Sequence, residues 1–355
     1  MVKHSENIIV GVSIGDMNGI GPEVILKTFE DSRMLEVCTP VIFANAKIVS
    51  FFKKTFNLTA NIHGIDKLDQ LVLGKINVLN VWREGVNVEF GTLDDAVGTY
   101  AIKSFQAATQ ALKNNKIDVL VTAPINKYNI QAENYKFAGH TDYLNEQLEG
   151  DALMFMIHED IKVGLVTDHV PIQEVNKHIT PALLEQKINT INETLRKDFR
   201  INKPKIAVLG LNPHCGDNGV IGKEDGEIIK PTLERLFKKG IQVFGPFAAD
   251  SFFGSNQHAK FDAVVAMYHD QGLIPFKTLS FGEGVNYTGG LTKIRTSPDH
   301  GTGFDIAGKN VAHESSFREA VYSAIDIFNN RNEYNELTHN PLKISASKEY
   351  LKKSM

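Results

Sequence analysis

The sequence predicts an α/β fold in which helices connect parallel strands. Strand-like runs rich in Val, Ile and Leu recur along the chain, at residues 8–14, 40–44, 76–81, 118–122, 153–157, 163–167, 205–210 and 262–267. Segments of helical periodicity separate these runs, and such alternation is typical of crossover connections between parallel strands. The chain has 355 residues, more than one hydrophobic core usually holds, so we expect two domains.

Two of the helices are predicted from apolar stripes and end signals. Between residues 94 and 112, apolar side chains recur every three or four positions, and Asp94 and Asp95 supply the negative charge favoured where a helix begins. A second stripe lies within residues 226–240 and ends at Gly240, a residue suited to the C-terminal cap.

The C-terminal region is predicted to hold one more helix and a polar tail. Ser315 or Ser316 is suited to the N-cap of a helix whose apolar stripe runs from residue 317 to 328. From about Asn330 onward the sequence is polar, which favours a mobile tail.

Composition excludes several classes of protein. The formal net charge is −4, and Lys and Arg form only short pairs, so nucleic acid is not an expected partner. Because no run of about 18 apolar residues occurs, we expect no membrane-spanning segment. Only two cysteines are present, too few for a disulfide framework, and we expect a cytoplasmic protein.

Three histidines stand where predicted strands end. His169, His214 and His269 follow the runs GLVT, AVLGLNP and AVVAMY. In open α/β sheets the ligand crevice lies beyond the carboxyl ends of the strands, so the three rings can converge there. Three imidazoles with an open position are typical of a catalytic divalent-metal site. The alternative is three independent surface or capping histidines.

Two glycine-rich segments indicate a coenzyme site. GDMNGIGPE (15–23) has the spacing GxxxGxG, which is not the Rossmann fingerprint GxGxxG, and it resembles the opening of the isocitrate and isopropylmalate dehydrogenase superfamily. FDIAGK (304–309), after His300 and Gly301, resembles the coenzyme loop of those enzymes. A carboxylate at Asp305 would bind a ribose 2′-hydroxyl and repel a 2′-phosphate, which favours NAD over NADP. Alternatively, this stretch is only a glycine-rich turn.

Five further blocks narrow the resemblance to one family. They are VTAPINK (121–127), FAGHTDYL (137–144), LNPHCGDNG (211–219), YHDQGLIPFK (268–277) and GVNYTGGLTKIRTSPDHGTGFDIAGK (284–309). In this order they resemble the 4-hydroxythreonine-4-phosphate dehydrogenase family of pyridoxal 5′-phosphate biosynthesis. The resemblance implies a two-domain α/β/α subunit with the active site in the interdomain cleft. It also implies a homodimer whose sites draw on both subunits.

The resemblance further implies domain boundaries and site residues. Residues 1–130 with 295–355 would form the coenzyme-side domain, and residues 131–294 the metal-, substrate- and dimer-forming domain. The family's metal ligands fall on the three strand-end histidines, which suit Zn²⁺ or Co²⁺, although relatives also use Mg²⁺. The family's substrate contacts fall on His140, Thr141, Lys277, Asn286 and Arg295, which include the cations and donors that a phosphate requires.

The implied reaction is an NAD-dependent oxidation of 4-phosphohydroxy-L-threonine to a 2-amino-3-oxo acid. That acid decarboxylates to 3-amino-2-oxopropyl phosphate, with the divalent metal assisting both steps. The general base is open between Asp270, His140 and a relayed water. The sequence departs from the family pattern at Met17-Asn18 and at Asp168. Asp168 precedes the first histidine ligand and could orient or charge the metal shell, so the metal preference is open.

Three alternatives remain. A sister dehydrogenase of the same family acts on 4-phosphorylated threonate or erythronate, which lacks the amino group. A phosphate acyltransferase shares the general fold but requires neither the histidines nor a coenzyme loop. The third alternative is a binding module without catalytic activity. Such a module would not require these glycine-rich, histidine-bearing blocks to lie together in one site.

Overall fold

A computed structural model describes residues 7–131, 135–137 and 139–341. Within them, twelve strands form one sheet in the order β3-β4-β2-β1-β5-β12-β11-β6-β7-β10-β8-β9. The strands are β1 (Ile8–Ser13), β2 (Cys38–Ala44), β3 (Ile62–Ile65), β4 (Ile76–Asn80), β5 (Val119–Thr122), β6 (Gly150–Ile157), β7 (Lys162–Leu165), β8 (Lys205–Leu209), β9 (Gln242–Phe247), β10 (Ala263–Ala266), β11 (Val285–Leu291) and β12 (Arg295–Pro298).

Eleven α-helices accompany this sheet in the described residues, besides short 3₁₀ and π turns. They are α1 (Gly21–Glu30), α2 (Met34–Val37), α3 (Ala46–Thr55), α4 (Asp95–Lys113), α5 (His140–Gln147), α6 (Ile172–His178), α7 (Pro181–Asp198), α8 (Lys230–Lys238), α9 (Ala249–Gly254), α10 (His269–Ser280) and α11 (Ser315–His339). Over the described part of the chain, none of them combines the length and hydropathy needed to cross a membrane.

The sheet is parallel on both flanks and antiparallel in its centre. β11 pairs antiparallel with β12 and with β6, and β6 pairs antiparallel with β7. The prediction of a purely parallel sheet is therefore wrong at the centre. The residues that join β6 to β7 and β11 to β12 are too few for a crossover helix, so each pair must reverse direction.

The predicted domains correspond to the two halves of the strand order. Strands β1 to β5 and β12, from residues 1–130 and 295–355, occupy one half, and β6 to β11, from residues 131–294, occupy the other. The two halves meet where β12 pairs with β11. The division into two domains itself stays a prediction.

Most predicted helices are confirmed, with corrections at their ends. α4 begins after Asp94, whose carboxylate accepts hydrogen bonds from Ala96 N and Val97 N, as predicted for this N-cap. α8 is shorter than predicted because a π-helical turn occupies Asp225–Ile229.

The C-terminal helix differs from the prediction at both ends. Glu314 is the N-cap of α11, and the Ser316 hydroxyl donates instead to the Gly284 carbonyl at 2.8 Å. The helix continues to His339, so the expected mobile tail is wrong for residues 330–339. The rest of that tail, from residue 342, lies outside the described residues.

A buried ionic network explains why α11 continues past residue 330. Arg331 donates through Nε to Asp198 Oδ1 at 2.5 Å and through Nη2 to the Tyr287 hydroxyl at 2.7 Å. That hydroxyl donates to Asp198 Oδ2 at 2.6 Å. All three side chains are buried, so each charge has its partner in a dry environment. The network fixes α11 to α7 and β11.

We predict that Asp198→Asn lowers the free energy of unfolding by about 3–5 kcal/mol, because it leaves the Arg331 guanidinium buried without a counter-charge. Urea denaturation followed by circular dichroism measures this change. Glu193→Gln, which breaks an exposed pair with Arg196, is the matched control and should cost less than about 1 kcal/mol. Equal losses in the two variants would contradict this account.

Candidate active site

A cavity of about 380 Å³ lies beside the centre of the sheet. It is lined from β5, α5, β6, the turn after β7, α10, β11 and the segment from β12 to residue 301. Nine of the predicted site residues line it: His140, Thr141, His169, His269, Lys277, Asn286, Arg295, His300 and Gly301. His214, Asp270 and Asp305 are not among its lining residues.

Arg295 places a buried positive charge in this cavity. Its guanidinium donates to the hydroxyl of Thr122 at 3.0 Å from Nε and to the hydroxyl of Thr288 at 3.2 Å from Nη1. Burial lowers the pKa of Arg295 to about 9, and no carboxylate in the described residues pairs with it. A buried cation whose only partners are neutral requires an anion, so the cavity is suited to an anionic ligand.

The guanidinium also fixes the protonation of His140. Arg295 Nη2 lies 3.1 Å from His140 Nδ1, and because guanidinium can only donate, Nδ1 accepts and Nε2 carries the proton. Burial, then the charges of Arg295 and Lys127, hold the pKa of His140 well below its usual value. Nε2 is buried without a partner in the described residues. His140 is therefore arranged as a donor to a ligand, which argues against a role as general base.

Two of the three predicted metal ligands face each other in the cavity. The rings of His169 and His269 have centroids 6.2 Å apart. Lys127 Nζ lies 3.0 Å from His169 Nε2, so that nitrogen accepts a hydrogen bond from the ammonium. Partial burial, followed by the charge of Lys127, lowers the pKa of His169. The ring is therefore neutral, and its lone pair points at a cation.

Asp270 orients the second ring. His269 Nδ1 lies 2.7 Å from Asp270 Oδ1, so in the neutral ring the proton is on Nδ1 and Nε2 has a free lone pair. Asp270 is 72% exposed and lies outside the cavity lining. This position suits an orienting carboxylate better than a base that contacts substrate.

His214 lies apart from the other two histidines. It follows β8 on an exposed turn, Pro213–Gly219, and does not line the cavity. Across residues 7–131, 135–137 and 139–341, no three His, Cys, Asp or Glu side chains are close enough to hold a metal ion. The expectation that three rings converge within one chain is not met. One chain supplies two of them.

The donor set of the cavity nevertheless fits a divalent cation in part. Two imidazoles are ligands that Zn²⁺ and Co²⁺ accept, and a third ligand would complete a catalytic site. The Lys127 ammonium already lies at the His169 lone pair, which shows that this position favours positive charge. His169 and His269 are the residues of this chain that could hold the metal.

Three residues that position site residues or strand ends were not predicted from the sequence. Thr122 supports Arg295, and Lys127 contacts His169. Gln271 accepts from Met267 N at 2.7 Å and donates to the Gly210 carbonyl at 2.6 Å, so it connects the ends of β10 and β8. All three lie inside blocks that carried the family resemblance, but their residue types alone gave no signal.

The two glycine-rich segments contact each other. Ile20 N donates to the Thr302 carbonyl at 2.9 Å. A Cβ at Gly19 would lie 2.5 Å from that same oxygen, so the close approach requires glycine. Asp305 is exposed on the turn that follows. The contact brings the two halves of the predicted coenzyme site together, while the coenzyme roles of His300, Gly301 and Asp305 stay predictions.

Comparison with solved structures defines the class of protein. A crystal structure of a 4-hydroxythreonine-4-phosphate dehydrogenase from Burkholderia phymatum matches with a TM-score of 0.74 and 34% identity, over 91% of this chain and 99% of that chain. The fold is that of the isocitrate and isopropylmalate dehydrogenase-like oxidoreductases, as the sequence predicted.

The family follows from the sequence matches. Residues 36–324 match the family described as pyridoxal phosphate biosynthetic protein PdxA, and the chain belongs to that family. The 4-hydroxythreonine-4-phosphate dehydrogenase of Bacteroides thetaiotaomicron is 45% identical over 338 residues, 95% of this chain and 93% of that protein. The D-threonate 4-phosphate dehydrogenase of Cupriavidus necator is 35% identical, over 91% of this chain and 98% of that protein. The chain is therefore an oxidoreductase, and acyl transfer and a non-catalytic module are set aside.

We predict that His140 stays neutral when the pH is lowered through 6.5, its ordinary pKa, because burial and the neighbouring guanidinium oppose its protonation. Nitrogen chemical shifts of the ring, measured by NMR during a pH titration, should report the Nε2–H tautomer throughout. Below pH 6.5, the ordinary pKa of histidine, the ring binds a proton in the unfolded chain but not in the folded chain. This histidine therefore lowers the free energy of unfolding as the pH falls below 6.5. Protonation of the His140 ring near pH 6.5 would contradict the assigned hydrogen bond.

Proposed function

We propose that the protein oxidises 4-phosphohydroxy-L-threonine with NAD in a metal-assisted reaction of pyridoxal 5′-phosphate biosynthesis. The product, a 2-amino-3-oxo acid, loses carbon dioxide to give 3-amino-2-oxopropyl phosphate. The observation that carries the proposal is the Arg295 guanidinium, which is buried without a counter-ion among the described residues and shares its cavity with the facing imidazoles of His169 and His269. The guanidinium suits an anionic group of the substrate, and the two imidazoles suit a metal ion that activates a substrate hydroxyl.

The cations and donors of the cavity would hold the substrate phosphate. Arg295 supplies a fixed planar donor, and the His140 Nε2–H has no other partner in the described structure. Asn286 Oδ1 is likewise buried without a partner, so its amide is free to orient toward a ligand. Lys277 donates to the Asp299 carbonyl at 3.0 Å and is exposed, so it can turn toward the cavity. Thr141 adds a hydroxyl at the start of α5.

His169 and His269 of one copy would hold the metal together with His214 of a second copy. Such sharing fits a homodimer whose sites draw on both subunits, and it accounts for the exposure of His214 on its own chain. A divalent cation bound there would supply Lewis-acid stabilisation of negative charge on the substrate oxygens. Asp270 would keep His269 in the tautomer that presents Nε2.

The glycine-rich contact would bind the coenzyme. NAD supplies the acceptor for the hydride that leaves the substrate carbon bearing the hydroxyl. His300 and Gly301 line the cavity next to the coenzyme loop, and Asp305 would select the 2′-hydroxyl of NAD.

A relayed water is the proton acceptor that the contacts favour. Of the three candidates, His140 has its Nδ1 blocked by Arg295, and Asp270 bonds His269 outside the cavity lining. The hydroxyl proton would leave through the open mouth of the cavity as the hydride passes to NAD. The oxidation would release one proton and form one NADH. Carbon dioxide then leaves from the carbon between the ketone and the carboxylate, and that carbon takes up one proton, so a turnover gives one NADH and one carbon dioxide without net release of a proton.

A second candidate substrate is D-threonate 4-phosphate. The 35% identity with a dehydrogenase of that name from Cupriavidus necator favours it, since the phosphate and metal chemistry would be shared. 4-Phosphohydroxy-L-threonine has an amino group where D-threonate 4-phosphate has a hydroxyl. 4-Phosphorylated erythronate also has a hydroxyl there, so it belongs to this second candidate. The 45% identity with a 4-hydroxythreonine-4-phosphate dehydrogenase favours the amino acid.

The direct test is NAD reduction by the purified protein with each substrate, followed at the absorbance of NADH. We expect a kcat/KM at least about tenfold higher for 4-phosphohydroxy-L-threonine than for D-threonate 4-phosphate, which is about 1.4 kcal/mol of discrimination. A chelator should abolish the activity and added Zn²⁺ or Co²⁺ should restore it. A preference for the threonate would reassign the substrate, and activity unaffected by chelation would remove the metal.

Subunit mixing tests the shared site. His169→Ala and His214→Ala should each be inactive as homodimers, because every site lacks one ligand. After the two variants are dissociated and reassociated together, the mixed dimer has one intact site. Activity should then recover to about one quarter of the wild type for random pairing. Mixing His169→Ala with His269→Ala is the matched control, since both ligands come from the same chain and no intact site can form.

A further inference from the structure

We propose that Asp225 is a positioning residue that holds the turn bearing His214 in the shape required to present its ring to a metal ion. The inference rests on the proposed function, in which His214 completes the site of a second copy. It concerns a buried carboxylate that contacts neither substrate nor metal and acts only through the backbone of the turn.

The turn has an unusual backbone. Five consecutive residues, 214–218, have φ of 53°, 53°, 80°, 42° and 55°, all in the left-handed region. Only Gly216 among them adopts this region without strain. A left-handed conformation is unfavourable for an ordinary residue, so the two pairs of non-glycine residues on either side of Gly216 need external support.

Asp225 supplies this support at the start of the turn. Its Oδ1 accepts from Leu211 N at 2.8 Å, and its Oδ2 accepts from Asn212 N at 3.0 Å and from Asn212 Nδ2 at 3.0 Å. The side chain is buried, at 1% exposure, so these charge-assisted bonds form away from water. Glu224 Oε2 accepts a second bond from Asn212 Nδ2, at 2.8 Å. Leu211 and Asn212, which only Pro213 separates from the left-handed run, are thus held in place.

Close packing fixes the rest of the turn. Cys215 N donates to the Asn212 carbonyl at 3.1 Å, and Ile221 N donates to the Gly216 carbonyl at 3.0 Å. A Cβ at Gly216 would lie 2.4 Å from the Gly222 carbonyl oxygen, which leaves no room for a side chain. The shape of the turn therefore depends both on the anchor that Asp225 gives to Leu211 and Asn212 and on the absence of a side chain at Gly216.

The strained turn does not bury the side chains of His214, Val220 or Ile221 within its own chain. The His214 side chain is exposed and makes no hydrogen bond within the described residues. The apolar side chains that follow it, Val220 and Ile221, are 82% and 44% exposed. Strained backbone that survives without a local gain points to a role outside the segment. Presentation of a ligand ring to another copy is such a role.

The test is a Co²⁺ titration of the metal-free dimer, followed by the visible absorption of nitrogen-ligated Co²⁺. Asp225→Asn should bind Co²⁺ about 10- to 100-fold more weakly than the wild type, the loss typical when support of a metal ligand is removed. Gly216→Ala, which keeps every Asp225 contact but displaces the turn, should show a comparable loss. Asp217→Asn, an exposed acid of the same turn, is the matched control and should bind like the wild type.

The outcomes separate this inference from the proposed function. If His214→Ala binds Co²⁺ as tightly as the wild type, the shared metal site fails and the inference fails with it. If His214→Ala loses binding while Asp225→Asn keeps it, only the positioning role of Asp225 is overturned. Should Asp225→Asn fail to fold, Asn212→Ala removes the side-chain hydrogen bonds of Asn212 to Asp225 and to Glu224 and keeps the Asp225 bonds to the backbone. Weaker Co²⁺ binding at an unchanged unfolding midpoint then supports the inference, and unchanged binding overturns it.

Discussion

A buried guanidinium that has no counter-ion among the described residues is the constraint on which the cavity depends. Three neutral acceptors satisfy the donors of Arg295, namely the hydroxyls of Thr122 and Thr288 and the Nδ1 atom of His140, but none of them neutralises its charge. Leaving such a charge unpaired in a dry environment costs several kcal/mol. Folding therefore maintains a site whose free energy improves when an anion enters, and the same contacts fix His140 as a donor to that anion.

The antiparallel centre of the sheet brings this charge to the cavity. β12 pairs parallel with β5 on one side and antiparallel with β11 on the other, so Arg295 reaches Thr122 and Thr288 on its two neighbouring strands. His169 and His269 arrive from the ends of β7 and β10, which are adjacent in the sheet. β8 lies one strand farther out, and the turn after it presents His214 at the surface. The geometry of one chain thus brings two of the three predicted metal ligands together.

The sequence was sufficient for the strands and helices that have regular apolar patterns and clear end signals. The Asp94 cap identified α4, and the parallel flanks followed from the buried apolar runs. β11 and β12 escaped because NYTGG and RTSP contain polar residues, glycines and a proline where a strand normally has alternating apolar residues. α11 extended past Asn330 because Arg331 has a buried ionic partner that is 133 residues away in the sequence.

The candidate site was predictable in its members and less so in its arrangement. Nine of the residues predicted for the site line one cavity, yet the strand-end positions of three histidines gave no information about where the left-handed turn directs His214.

Anomalous scattering from crystals of the Co²⁺-loaded protein tests the central claim most directly. The account predicts one cobalt peak per cavity, bonded to His169 and His269 of one copy and to His214 of another. A cobalt peak elsewhere, or one bonded without a second copy, would contradict it.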